Sequence, residues 1–192
     1  MQLLNKEATI NYLEQELKYD NTTAQIYQYK LNQTLVSVLY MLPAVIIAIV
    51  TSTIDLWLLA LVSSKLVRHT IGGIHVKSNV ACFILSFSII EMSVWVPYFG
   101  LITVGLQRLL LAVDTLIWLL FVPRGTSQVP IVSETRKLKM KVYSGVTLLF
   151  LLGISNSSDL YAGTLILSAS IMMLTVLPIT YKIFKVSQFR DN

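Results

Sequence analysis

The sequence predicts an all-α, polytopic membrane protein with about six spans and an N-terminal amphipathic helix. Of its 192 residues, 55% are hydrophobic and only 13% are charged, whereas a typical soluble domain has about 25% charged residues. The apolar residues also fall in long runs after residue 31, as expected for helices that cross a bilayer. We therefore expect one membrane domain over residues 1–192, with an interfacial segment at 1–30, a transmembrane bundle at 31–181 and a tail at 182–192.

The first 30 residues differ from the rest because charged side chains interrupt them. Ile10, Leu13 and Leu17 recur at helical intervals among these charges, which is typical of an amphipathic helix. We expect this segment to lie on the membrane surface or on a partner helix. A solvated helix packed on a neighbouring loop is the alternative.

Six apolar segments follow: 32–50, 54–67, 80–97, 100–122, 142–155 and 160–180. The second and fifth are short against the roughly 20 residues that cross a bilayer. Six spans, or four spans with two re-entrant segments, therefore both remain open. Pro43 and Pro97 are compatible with spans, since neighbouring helices satisfy the freed carbonyls.

Basic residues predict the orientation of these spans. They concentrate in two connections and the tail: Lys65, Arg68, Lys77, Arg124, Arg136, Lys137, Lys139, Lys141, Lys182, Lys185 and Arg190. Positive residues favour the cytoplasm, so six spans place both termini and every basic connection inside a multi-pass cell-membrane protein. Topology thus accounts for the net charge of +5, and nucleic-acid binding is excluded.

Three charged residues lie within the predicted spans: Glu91, Arg108 and Asp114. Such charges are costly and usually face the bundle interior or water. We expect Arg108 to pair with Glu91 if the third and fourth spans are antiparallel neighbours. A contact with substrate is the alternative.

Cys82 is the only cysteine, so no intramolecular disulfide forms. With two histidines, His69 and His75, the chain is also short of ligands for a metal site. We expect no metal and no cofactor, and Cys82 acts, if at all, as a lone thiol.

The connection before Cys82 is suited to hold a thiolate. Gly72 and Gly73 interrupt the helical pattern and allow a tight reversal. Ser78 or Asn79 can then cap the third span, which puts Cys82 in or near the first turn of that helix. There the helix dipole favours a negative charge and lowers the pKa of a thiol.

A base is also available in this connection. His75 precedes Cys82 by seven residues, too far along one helix for a direct hydrogen bond. The pair works only if the loop folds back over the helix start, which the glycines permit. Alternatively, Cys82 is a small buried hydrophobe and His75 is solvated.

Gly-Gly-Ile-His75, followed by six residues and Cys82, resembles the accessory gene regulator protein B family (AgrB-like). A second segment agrees: Pro123 and Pro130 reproduce the family's two-proline loop, and a Lys-rich stretch follows to Lys141. The resemblance extends over nearly the whole chain, including its length and its number of spans.

The resemblance implies a membrane cysteine endopeptidase of Gram-positive quorum sensing. Such an enzyme cleaves an AgrD-like propeptide near its C-terminal end and supports cyclisation to a thiolactone or lactone. Cys82 matches the nucleophile and His75 the general base. The residues expected to support the site are Arg68, Gly72, Gly73 and Ser78.

Propeptides of the resembled system carry an amphipathic helix and an acidic C-terminal tail. The residues expected to recognise such a substrate are Pro123, Pro130, Arg124, Arg136, Lys137, Lys139 and Lys141. Alternatively, the basic residues among these only determine the topology of the spans. The chain permits a homodimer. The rival function is a non-enzymatic transporter or exporter component for a peptide. In that case Glu91, Arg108 and Asp114 line the transport path, and Cys82 only packs against its neighbours.

Overall fold

The structure is a computed structural model that describes residues 5–16, 18, 20–74, 79–125, 133–156 and 159–184. The helices in these ranges are α1 (Lys6–Gln15), α2 (Asn21–Val50), α3 (Ile54–Ile71), α4 (Asn79–Tyr98), α5 (Val104–Phe121), α6 (Glu134–Ile154), α7 (Leu160–Leu174) and α8 (Pro178–Ile183). The described residues contain no strand, so the predicted all-α class is confirmed for them.

The chain divides into two compact units, Met1–Ile47 and Ala48–Asn192. In the first unit, the side chain of Asn5 caps α1 by accepting from the amides of Glu7 and Ala8 at 3.1 and 3.3 Å. Asp20 accepts from the amide of Thr23 at 3.1 Å and caps α2. The segment 1–30, predicted as one helix, therefore contains α1 and the start of α2, because the capping aspartate begins a second helix.

In the second unit, α3 to α7 form a bundle in which successive helices run in opposite directions. Helix α7 lies at its centre and packs against α3, α4, α5 and α6. Its inner face is fully buried at Ile166, Ala169 and Met173. Buried hydroxyls join α7 to α3, since Ser168 lies 2.8 Å from both Ser63 and Ser64.

The bundle has two distinguishable ends. We call the end that carries Gly72, Arg124 and Thr175 the glycine end, because Gly72 and Gly73 contact the other two residues there. At the opposite end, the hydroxyl of Tyr161 donates to the carboxylate of Asp55.

Among the described residues, two helices are long and apolar enough to cross a membrane. They are Ala81–Tyr98 in α4 and Val104–Phe121 in α5, with mean hydropathies of 1.5 and 1.7. Only 28% and 22% of these windows are buried, whereas a core helix of a soluble protein is mostly buried. Their exposed apolar faces are compatible with a membrane location.

The two short predicted spans are single uninterrupted helices. Helix α3 has 18 residues and α6 has 21, because each continues beyond its apolar run into its basic residues. Lys and Arg are good helix formers. At roughly 1.5 Å per residue, the two helices extend about 27 and 31 Å.

The predicted ion pair between Glu91 and Arg108 is wrong. The carboxylate of Glu91 accepts from the indole N–H of Trp95 at 2.8 Å, and the guanidinium of Arg108 donates to Asn156 at 2.7 Å. Arg108 lies near the start of α5, where the chain between α6 and α7 is closer than the middle of α4. The third charge, Asp114, is buried and accepts from Ser170 on α7 at 2.6 Å.

Candidate functional site

A side chain of α3 holds the turn that follows this helix. The guanidinium of Arg68, in the last turn of α3, donates to the carbonyl oxygen of Ile74 at 2.9 Å. The side chain of Ile74 is buried. This bond closes the turn one residue before His75. His75 and Ser78 themselves lie outside the described residues.

The same turn is paired with the segment that follows α5. The amide of Arg124 donates to the carbonyl of Ile71 at 3.0 Å, and the amide of Gly73 donates to the carbonyl of Arg124 at 3.0 Å. Together they make an isolated parallel bridge between Gly72 and Arg124. The two connections that the sequence singles out therefore meet at the glycine end, with Pro123 directly beside the bridge. Pro130 lies outside the described residues.

Both glycines are required by this arrangement. Gly72 has φ +81°, and a Cβ there would overlap the carbonyl oxygen of Arg124. Gly73 has φ +107°, and a Cβ there would come within 2.5 Å of the hydroxyl of Thr175. Any other residue would strain the backbone and push the three segments apart.

The side chain of Arg124 also contacts a backbone carbonyl and two aromatic rings. Its guanidinium donates to the carbonyl of Val176 at 3.4 Å, and it lies 5.6 and 5.5 Å from the ring centroids of Phe121 and Tyr181. Burial raises the pKa of Tyr181, in α8, to about 12, and the charge of Arg124 opposes that rise. Arg124 thus joins the ends of α5, α7 and α8.

Cys82 lies where the sequence predicts it. Helix α4 begins at Asn79, so Cys82 is its fourth residue. The thiol is free and its side chain is half-buried.

The basic residues of α6 that the sequence proposes for substrate recognition make different contacts in the structure. Lys137 forms an ion pair with Glu134 at 2.9 Å, and the ammonium of Lys141 lies 5.7 Å from the ring centroid of Trp118. The other two basic residues of α6 face a cavity of about 190 Å³ beside the end of α3. Its lining residues are His69, Thr70, Arg136, Lys139, Met140 and Tyr143.

Within the described residues, no group of three or more His, Cys, Asp or Glu side chains is placed to hold a metal ion.

The comparison with known proteins decides the family. The chain matches the family model of AgrB, described as Accessory gene regulator B, over residues 6–184. It belongs to the AgrB family. A relative, accessory gene regulator protein B of Staphylococcus haemolyticus (strain JCSC1435), is 26% identical over 136 residues, which cover 70% of this chain and 72% of the relative. No solved structure matches.

Family membership confirms the resemblance read from the sequence. It supports a role for this protein in accessory gene regulator quorum-sensing processing, in relation to an AgrD propeptide. The roles of individual residues stay predictions.

The structure brings some predicted residues together and adds others. Arg68, Gly72 and Gly73 share one turn with the backbone of Arg124. The sequence carried no signal for the contact of Gly73 with Thr175. It also carried none for the position of His69 beside the basic residues of α6.

Proposed function

We propose that this AgrB-family protein is a membrane cysteine endopeptidase that cleaves an AgrD-like propeptide near its C-terminal end. Cys82 is the nucleophile and His75 is the general base. The observation that carries the proposal is the anchored turn that ends one residue before His75, together with a free, half-buried thiol in the first turn of α4.

The anchored turn directly precedes the proposed base in the sequence. The carbonyl of Ile74 is held by Arg68, and residues 75–78 separate this turn from Asn79, the first residue of α4. The proposal places the imidazole of His75 beside the thiol of Cys82, because exchange of a proton between the two groups requires proximity.

The start of α4 also supplies electrostatic stabilisation. The first amides of a helix lack partners within it, and the helix dipole is positive there. These groups favour the oxyanion that forms on the scissile carbonyl.

The reaction proceeds in two steps. The Cys82 sulfur attacks the scissile carbonyl carbon, the peptide C–N bond breaks, and His75 passes the thiol proton to the leaving amine. The N-terminal part of the propeptide is then a thioester on Cys82. A cysteine or serine of the same peptide attacks this thioester, releases Cys82 and closes a thiolactone or lactone. Exchange of one thioester for another conserves most of the bond energy, and exclusion of water favours ring closure over hydrolysis.

This proposal includes a topology. Six spans with both termini in the cytoplasm put the glycine end, with its basic connections, on the cytoplasmic face. A propeptide made in the cytoplasm then meets the thiol in the compartment where thiols stay reduced.

The proposal is tested by co-expression with a tagged AgrD-like propeptide. The wild type and Ser88→Ala, an exposed position of α4, are expected to release the C-terminal fragment. Cys82→Ala, Cys82→Ser and His75→Ala are expected to reduce release below detection at equal protein levels. The wild type is also expected to accumulate a covalent propeptide adduct that hydroxylamine removes and that Cys82→Ala lacks. Release of the fragment by Cys82→Ala would show that the proposal is wrong.

A further inference from the structure

The cavity between α3 and α6 has the charge of an anion site. Arg136, Lys139 and Tyr143 line it from α6 at spacings that put them on one helical face. His69 and Thr70 line it from the last turns of α3. None of the lining residues carries a carboxylate. A volume of about 190 Å³ is several times the roughly 30 Å³ that one water occupies in the liquid.

Glu134 does not neutralise this cavity. It is the acidic residue of the first turn of α6 and forms its ion pair with Lys137 at 2.9 Å. Neither residue lines the cavity. The guanidinium of Arg136 and the ammonium of Lys139 therefore face a space that an anion can enter.

Apolar surface continues from the cavity along both helices. On α6, Val146 and Phe150 follow Tyr143 at helical spacing, and each is 60% exposed. On α3, Leu66 and Val62 precede His69 in the same way and are 63% and 53% exposed. The polar cavity thus lies at the end of two exposed apolar stripes. A small free anion would use only the cavity, whereas an amphiphile would use both surfaces.

We infer that this cavity binds the phosphate head group of an anionic phospholipid, with the acyl chains along the two apolar stripes. Arg136 offers a planar fork of N–H donors that fits phosphate oxygens, and Lys139 adds a compact positive charge. Tyr143, with an apolar ring and a polar hydroxyl, is suited to the boundary between head group and chain. The inference concerns the free protein and does not depend on cleavage by Cys82.

The test is lipid binding by the purified full chain in neutral detergent micelles, followed by native mass spectrometry. Dioleoyl phosphatidylglycerol is titrated against dioleoyl phosphatidylcholine, which has the same chains and no net charge. The doubly substituted R136Q/K139Q removes the two cavity charges. The matched control K6Q/K182Q removes two charges from exposed residues that do not line the cavity. Micelles make the result independent of topology, which basic residues also influence.

Phosphatidylglycerol is expected to bind the wild type about tenfold or more tightly than phosphatidylcholine. R136Q/K139Q should weaken its binding about 10- to 30-fold, because each basic residue near an anionic head group contributes roughly fivefold in affinity. K6Q/K182Q should stay within about twofold of the wild type. Met140→Glu keeps both cations but adds a negative charge to the lining, so it should weaken binding as well. Thermal unfolding of every variant identifies any that fails to fold.

Other outcomes overturn the inference. Equal binding of the two lipids, or an equal loss in K6Q/K182Q, would mean that no head-group site exists here. Displacement of bound phosphatidylglycerol by inorganic phosphate in large excess would indicate a site for the free ion. Displacement by an oligoglutamate peptide would indicate a site for an acidic peptide. Because no propeptide is present, none of these results bears on the proposed protease activity.

Discussion

Substitution of Gly72 by alanine tests whether the turn before His75 depends on its contact with the segment after α5. The backbone of Gly72 has φ +81° and ψ −128°, a combination that side chains other than hydrogen rarely allow. A Cβ there would overlap the carbonyl oxygen of Arg124 and lie 3.1 Å from its carbonyl carbon. Both are backbone atoms, so no change of rotamer relieves the overlap.

The expected cost has two parts. An alanine held in a sparsely populated backbone region costs about 1–3 kcal/mol. Because no rotamer change relieves the overlap, the segments also separate, and the two hydrogen bonds between Arg124 and the turn are lost, each with a net worth of about 1 kcal/mol. We expect Gly72→Ala to lower the free energy of unfolding by about 3–5 kcal/mol. A displacement of about 1 Å at His75 would also reduce propeptide cleavage on the order of 100-fold.

The matched control is Gly100→Ala. Gly100 also has a positive φ, +71°, but a Cβ there meets no atom within 4 Å. Its cost should be the backbone strain alone, about 1–2 kcal/mol, with cleavage close to the wild-type rate. Thermal unfolding in micelles and cleavage of a tagged propeptide measure the two effects. If Gly72→Ala cleaves as fast as Gly100→Ala, the coupling between this turn and the catalytic residues does not exist.

Two further predictions concern single hydrogen bonds, and a third concerns the buried phenol of Tyr181. Arg68→Ala should reduce propeptide cleavage about tenfold or more with a smaller change in stability, because the carbonyl of Ile74 loses its charged donor; an unchanged cleavage rate would refute the positioning role. Ser170→Ala should lower the free energy of unfolding by about 1–3 kcal/mol, since it leaves the buried carboxyl of Asp114 without this partner, and a melting temperature equal to that of the exposed control Ser88→Ala would contradict this. The pKa of Tyr181 is raised from 10.0 to about 12, so the folded state holds the phenolic proton more tightly than the unfolded state. Its contribution to stability is complete below pH 10 and is lost between pH 10 and 12; melting temperatures should fall across that window in the wild type and fall less in Tyr181→Phe.

The helices were readable from the sequence because their signals are local. Four of the six predicted apolar segments, from 54–67 to 142–155, each match one described helix within a few residues, apart from the basic extensions of α3 and α6, whereas the segment 160–180 covers α7 and the start of α8. The position of Cys82 in the first turn of α4 followed from the break at Gly72–Gly73 and a capping residue before the apolar run. The start of α2 was missed, although Asp20 and Thr23 supply an N-terminal capping signal there.

Pairing between distant segments could not be predicted in the same way. The sequence suggested Glu91 for Arg108, but the partner is Asn156. Charge alone favours an ion pair, whereas the position of each residue along its helix decides which groups come within reach. Arg124 and Arg136 looked alike as members of one basic cluster. Packing places the first among α5, α7 and α8, and the second at a cavity beside α3.

The sequence by itself determined the helical class, the family and the lone thiol at the start of a helix, because composition, periodicity and short motifs are properties of contiguous residues. Only the tertiary structure decided what holds the turn before His75: the backbone of Arg124 and the guanidinium of Arg68. It also decided that His69 faces Arg136 and Lys139 across a cavity. Such contacts depend on how α3, α5, α6 and α7 pack, and packing is set by the burial of whole helix faces, which no short stretch of sequence encodes.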